Sequence, residues 1–285
     1  MFSRISKAIK WIGEHFKGLL FLLIVALIFI PKGSTTSQIA NLQEIKLFGT
    51  ISDANEILKE IESAKKNPKI KGVLLNVNSG GGSVPPSIEI SYAIRELAKK
   101  KPVVAYASGT MASGSYYSSI YATKIVANPG SIIGSIGVIL QSANIKELLD
   151  KIGVKPQTVK QGLYKEAGTP TRKWSNAERE ELEQLTKDTY ELFISDVAKA
   201  RGLDLNSSDK FANAHIFSPI RAKKIGLIDE IGVMSIAKKD LIELSKVKKP
   251  IWREKPKLEK FLDSFKEKST LLIENSIFGL RSSIF

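Results

Sequence analysis

Among 285 residues the chain has no cysteine and two histidines, His15 and His215, so nucleophilic chemistry falls first to its serines. The stretch "MASGSYY", Met111–Tyr117, places Ser113 between small residues, where a strand end reads into a helix start. There the backbone can turn sharply and another segment can approach. Six serines fall between Ser108 and Ser131, and such hydroxyls commonly serve as caps or helix-surface groups. A hydroxyl is a weak nucleophile at neutral pH and needs a base. His215, in "FANAHIFSPIRAKK", reads as a surface or core residue, and His15 sits in an apolar N-terminal segment. From Tyr92 to Lys146 the only acidic residue is Glu96. A lysine can act as base where burial keeps its amine neutral. Residue types and spacing stop at a serine with a lysine base, and they do not choose the lysine.

A second segment with chemical potential is "NVNSGGGSVPPSIEI", in which Gly80–Gly82 stand between an apolar strand and a helix. Three uses fit: a tight turn, phosphate binding, or exposed N–H groups forming half of an oxyanion hole. Neither a G-x-G-x-x-G spacing nor a GK[ST] sequence is present, which weighs against nucleotide binding. The lack of cysteine excludes disulfides, zinc–thiolate sites and cysteine nucleophiles. Two histidines exclude a cluster of several metal-binding histidines.

The elements that must position these residues read as α/β. "EIKLFGTI" from Glu44 predicts a strand, and Ser52 is placed to cap a helix reaching Lys66. "KGVLLNVN", Lys71–Asn78, is a near-continuous apolar strand of the kind buried in a parallel sheet. A helix over 85–100 and the strand "PVVAYA" follow. Next come a short helix over 112–122, strands at 124–127, "IIGSIGVIL" and "KPQTVK", and between the last two the helix "NIKELLDKI". Ser175 and Glu178 form a capping box at the head of a long helix ending near Arg201, and a helical region closes the domain near Ser245. Alternating strands and helices imply right-handed crossovers in a mostly parallel sheet with outer helices.

The formal charge of +14 is concentrated at the ends. Residues 1–33 hold five basic residues against Glu14, and residues 246–285 hold ten basic against five acidic. That distribution suits a membrane surface rather than a nucleic-acid groove, and no nucleic-acid partner is expected. "GLLFLLIVALIFI", 18–30, is wholly apolar between Lys17 and Lys32. It is shorter than the ~20 residues that span a bilayer, although the flanking lysines can snorkel. A cleaved signal peptide is the rival reading. Its small-x-small site is poorly matched, because Gln38 stands two positions before Ala40. The basic N-terminal tip then places the rest of the chain outside the cytoplasm. The expected organisation is a tip and anchor over 1–33, a linker over 34–43, a catalytic domain over 44–245 and a basic amphipathic tail over 246–285. The tail suits a neighbouring subunit or a membrane surface.

Several motifs in order, from about Lys46 to Ser245, resemble the Ser–Lys peptidases of family S49, the signal peptide peptidase A group, which have the crotonase/Clp-protease fold. "NSGGGSV" resembles the family's N-S-P-G-G-S-V loop, "ASGSYY" its A-S-G-G-Y-Y nucleophile turn and "GSIGVI" its G-S-[IL]-G-V strand. "QGLYKEAGTPTRKWSNAERE" resembles the segment S-G-x-x-K-x-x-x-S-P-x-R that carries the family's lysine. The resemblance implies Ser113 as nucleophile, Lys165 as general base and Ser135 as the hydroxyl orienting its amine. It also implies oxyanion donors at Gly114 and at Gly81 or Gly82. Gly80, Ser115 and Thr169 depart from the family's proline, glycine and serine. Glu166, next to Lys165, is expected to point away, since an inward carboxylate would favour the charged amine.

What the resemblance implies is a membrane-anchored serine endopeptidase of the short, single-domain type, on the outer side of the bacterial cytoplasmic membrane. It would degrade leftover signal peptides as hydrophobic substrates, without metal or organic cofactor. Its subunits would form a homo-oligomeric ring in which serine and lysine can come from adjacent chains. Two rivals are a crotonase-like acyl-CoA enzyme, against which the anchor argues, and a catalytically silent membrane scaffold.

Overall fold

The computed structural model describes residues 11, 13, 15–18, 20–22 and 39–253. The chain divides into two units at Ile39. In the first, the described residues up to 22 are helical and exposed. The expected anchor, 18–30, falls mostly outside the described residues. Among the described residues no helix is long and apolar enough to cross a membrane.

The second unit is built on a seven-stranded sheet ordered β1–β2–β3–β4–β7, with β5 beside β3 and β6 beside β5. Its first strands are β1 (Leu42–Phe48), β2 (Gly72–Ser79) and β3 (Val103–Ala112). The remaining strands, β4 (Lys124–Ala127), β5 (Ile132–Gly134), β6 (Ile216–Phe217) and β7 (Glu230–Ile231), are short. Every pairing is parallel except β5 with β6. The helices are α1 (Asn55–Lys66), α2 (Val84–Ala98), α3 (Gly114–Ser119), α4 (Lys146–Lys151), α5 (Asn176–Arg201), α6 (Pro219–Lys224) and α7 (Met234–Ser245). Parallel neighbours joined through helices produce the layered α/β architecture.

Alternation along the strands assigns the two faces. Val73, Leu75 and Val77 of β2, with Val103, Ala105 and Ala107 of β3, join the main core with Ile61 of α1, Ile90 and Ile94 of α2 and Phe193 of α5. Leu74, Val104 and Tyr106 point the other way, to Ala237 and Leu241 of α7. Each fully buried aliphatic side chain contributes about 1.5–3 kcal/mol, so both faces are committed and the register is fixed.

Where the structure differs from the sequence reading, local commitments explain it. Ile51 forms a bridge with Gly82, which keeps the chain extended past Ser52. The helix therefore starts after Ala54 without a side-chain cap, and Asp53 rather than Ser52 accepts the Asn55 N–H at 3.0 Å. The strand expected over 132–140 ends at Gly134, because Gly134 (φ +105°) and Ser135 (φ +48°) turn the backbone. "KPQTVK" forms no strand and is exposed throughout. Its one large apolar side chain, Val159, is fully solvent-accessible, so it has no apolar face to bury against a sheet. The capping box of Ser175 and Glu178 heads α5 as expected. Past α7, Asn41 and Leu42 donate their N–H groups to the Ile251 carbonyl at 2.8 and 3.1 Å, and the Arg253 N–H returns to the Leu42 carbonyl at 2.7 Å. The folded unit thus continues to residue 253 along the β1 edge.

Candidate active site

β3 is shared along its length, and this creates the site. Its first half pairs with β4 and its last residues with β5. Between them the β2–β3 register jumps from Val77↔Ala107 to Ser79↔Met111. The bulged residues are stitched to β2: Ser108 Oγ donates to the Val77 carbonyl at 3.1 Å, and the Thr110 N–H donates to Asn78 Oδ1 at 3.0 Å. Bulges re-aim the chain beside functional sites, and here the redirected strand leads into Ser113.

Ser113 caps α3 with φ 53° and ψ −126°, a conformation that costs a non-glycine residue about 1–3 kcal/mol. Bonds on both sides hold it there. Its N–H donates to the Gly134 carbonyl at 2.8 Å and its carbonyl accepts from Tyr117 N–H at 3.0 Å. The result presents a half-buried Ser113 at a sharp strand-to-helix turn.

The glycine loop after β2 packs directly on this turn. A Cβ at Gly81, whose φ is +100°, would lie 2.6 Å from the Gly114 nitrogen. A Cβ at Gly114 would lie 2.3 Å from Ser87 Oγ and 3.3 Å from the Gly82 nitrogen. Two backbone nitrogens, those of Gly82 and Gly114, therefore converge beside Ser113. The Gly81 N–H donates to Ser79 Oγ at 3.1 Å, so it is already engaged. Ile51 bonds to Gly81 and Ser83, on either side of Gly82, which turns the Gly82 N–H away from that bridge. Of the two glycines left open by the sequence, Gly82 has the geometry of a donor.

Ser135 follows Gly134, which is in register with Ala112, so Ser135 and Ser113 sit at matching positions on adjacent segments. The Ser135 N–H donates to the His215 carbonyl at 2.8 Å. His215 itself is exposed and contributes its backbone rather than its ring. Asn213 and Ala214, consecutive residues with φ of 56° and 55°, carry this crossing, with the Asn213 N–H donated to Tyr190 Oη at 2.9 Å.

Ser115 was legible only as an added hydroxyl near the site. Fully buried, it is the link between the two arms. Its Oγ lies 2.6 Å from the Ser79 carbonyl and accepts the Ala112 N–H at 2.9 Å. One hydroxyl thereby ties the residue before the glycine loop to the residue before Ser113.

Beside Ser113 opens a narrow cleft lined by Val84, Ile88, Tyr117, Val138, Leu192 and Phe193, with Gly82, Ser113 and Gly114 on its wall. The Tyr117 hydroxyl donates to Asp196. Burial, followed by that carboxylate, pushes the Tyr117 phenol above its ordinary range, so it stays protonated.

Lys165 is placed differently. It is exposed, in a turn-rich segment after the irregular run 155–160, and is not among the residues lining the cleft. Glu166 accepts from Arg172 Nη2 at 2.8 Å and Lys160 Nζ at 2.9 Å. Those bonds, Arg172 first, hold its carboxyl down to about 2. Ser113, Gly82 and Gly114 thus share the wall of one cleft, Ser135 follows the strand beside Ser113, and Lys165 is not among the lining residues. Among the described residues no group of His, Cys, Asp and Glu has the arrangement to hold a metal ion.

The Peptidase family S49 model matches residues 95–248. The chain belongs to peptidase family S49. It is 41% identical over 198 residues to a Methanocaldococcus jannaschii protein named "Putative protease MJ0651", covering 70% of this chain and 64% of that one. It is 35% identical over 208 residues to the Enterococcus faecium protein named "Putative signal peptide peptidase SppA", covering 71% and 60%. The chain spans less than two thirds of the length of either relative. A solved structure of 1510-N, titled a membrane-bound stomatin-specific protease and studied as a mutant, superposes with a TM-score of 0.50 at 15% identity. The match covers 71% of this chain and 84% of that one. This likeness concerns the fold, and the mostly parallel α/β sheet with outer helices is consistent with the crotonase/Clp-protease fold.

Proposed function

We propose that this S49 family member is a serine endopeptidase acting on hydrophobic peptide segments, among them signal peptides left after their release. The observation carrying the reading is the convergence of the Gly82 and Gly114 nitrogens beside Ser113, on the wall of an apolar cleft. In this mechanism Ser113 Oγ attacks the peptide carbonyl. The two N–H groups hold the tetrahedral oxyanion. Lys165 takes the serine proton and returns it to the leaving amine, with Ser135 orienting the amine.

Lys165 is exposed and does not line the Ser113 cleft, and the reading places the two residues in adjacent subunits, with the lysine of one completing the site of the next. Support comes from the segment leading to Lys165. Ile139, Val159 and Leu163 are 81%, 100% and 65% exposed, apolar side chains that association with another copy would bury. Residues 18–30 anchor the chain in a bilayer, with the catalytic unit outside the cytoplasm.

A fluorophosphonate probe, which phosphonylates activated serines with loss of fluoride, tests the reading on the full chain. Wild type should be labelled and should cleave an apolar peptide, whereas Ser113→Ala should do neither. Peptide turnover by Ser113→Ala at the wild-type rate refutes it.

A further inference from the structure

Arg172 stands in the middle of a charged network that touches the Lys165 segment. Its guanidinium meets Glu178 with both arms, Nη1 to Oε2 at 2.8 Å and Nη2 to Oε1 at 2.7 Å. Nη2 also donates to Glu166 at 2.8 Å. Glu178 is nearly buried, with a side chain 3% exposed. It is fixed as the third residue of the α5 capping box, where Oε2 accepts the Ser175 N–H at 2.9 Å. The base of the network is therefore immobile, and a bidentate guanidinium–carboxylate pair is directional as well as strong. Arg172 transmits that fixed point to Glu166, the residue next to Lys165. Two further bonds pin the same stretch: Trp174 Nε1 donates to the Thr169 carbonyl at 2.8 Å, and Ile145 N–H to the Pro170 carbonyl at 2.8 Å.

Resting on the reading of Lys165 as general base, we propose that Arg172 is a positioning residue for it. Arg172 clamps the Lys165 segment to the head of α5 and keeps the Glu166 carboxylate occupied, away from the neighbouring amine. The charges facing Glu166 are Arg172 and Lys160, with Glu178 beyond Arg172 and 3.9 Å from Lys160; Thr158 adds a hydrogen bond. Among the described residues Lys165 itself has no ion pair, and the ion pairs of Glu166 go to Arg172 and Lys160. Were Arg172 neutral, Glu166 would remain ionised at working pH with one counter-charge fewer. A free carboxylate beside an amine favours the ammonium form, which cannot accept the serine proton. The clamp therefore has two separable effects, one on where the amine sits and one on the pH at which it becomes a base.

The test is the pH profile of kcat for an apolar peptide, measured with the full chain. In Arg172→Gln the alkaline rise should move up by about one pH unit, and the plateau should fall about ten-fold through misplacement of the amine. In Arg172→Gln/Glu166→Gln the rise should return to its wild-type position while the plateau stays low. A merely structural arginine would not give that return. A wild-type profile in Arg172→Gln, or a double variant as displaced as the single one, overturns the proposal. Should Arg172→Gln fail to fold, Glu166→Gln decides alone, since it leaves the Arg172–Glu178 pair intact. Its plateau should fall about three-fold with the rise unmoved, and a wild-type plateau overturns the clamp. Lys165→Ala, run in parallel, separates the two levels. Turnover in that variant removes the base assignment and the clamp together. An inactive Lys165→Ala beside wild-type clamp variants removes the clamp only.

Discussion

The Ser113 turn and the Lys165 segment are held by opposite means. Around Ser113 the constraints are short-range and buried: interlocked glycines, an internal serine hydroxyl, and a φ of 53° fixed by hydrogen bonds at both ends. Around Lys165 they are ionic and partly exposed, four carboxylate–cation contacts on a stretch with no strand or helix of its own. The nucleophile must meet donors from its own chain, so its geometry can be complete in one copy. On the proposed reading, a base that completes a neighbour's site has to project from the surface. Projection forbids a packed core, and salt bridges to a capped helix end then supply the rigidity.

The contrast breaks first at Gly114. Gly114→Ala drives a methyl to 2.3 Å from Ser87 Oγ, and overpacking of this kind costs about 1–3 kcal/mol. Peptide hydrolysis should be lost and the melting temperature lowered, both measurable on the purified chain. An alanine in an exposed stretch of the Lys165 segment should leave melting unchanged. Next is Ser115→Ala, which strands the buried Ala112 N–H. Leaving such a donor unpaired costs about 1–3 kcal/mol, read as a lower denaturation midpoint at unchanged slope. Replacing Ser119, whose hydroxyl bonds only back to the Ser115 carbonyl on the same helix, should cost less. The smallest effect is confined to the other region.

Glu166 and Glu178 are both held down to about 2 in the folded chain, against 4.5 ordinarily. A depressed carboxyl stabilises above its unfolded pKa and ceases to as pH falls through the folded value. The Lys165 segment should therefore loosen between pH 4.5 and about 2. Amide exchange in residues 160–174 should accelerate across that window while the β2 and β3 amides stay protected. Equal acceleration of both would erase the distinction.

Much of the nucleophile side was legible in the residue order. A continuous apolar β2, the glycines after it and small residues around Ser113 each report a local requirement, namely burial, close approach or a sharp turn. The α5 capping box was equally plain, since its two partners stand three residues apart. Ser52 misled because the competing bridge, Ile51 beside Gly82, joins segments 31 positions apart. "KPQTVK" misled because a β-branched run satisfies strand propensity without supplying a face to bury.

By itself, then, the sequence determined the alternating elements, the turn at Ser113 and the motif set that places the chain in family S49. Tertiary structure alone decided which glycine N–H is already engaged, that Ser115 links the two arms, that β3 bulges to reach β5, and that Lys165 is exposed and does not line the cleft. These depend on which distant backbone groups find partners. A hydrogen bond between Ser115 and Ser79, or between Arg172 and Glu178, exists only once packing has brought both ends to the same place.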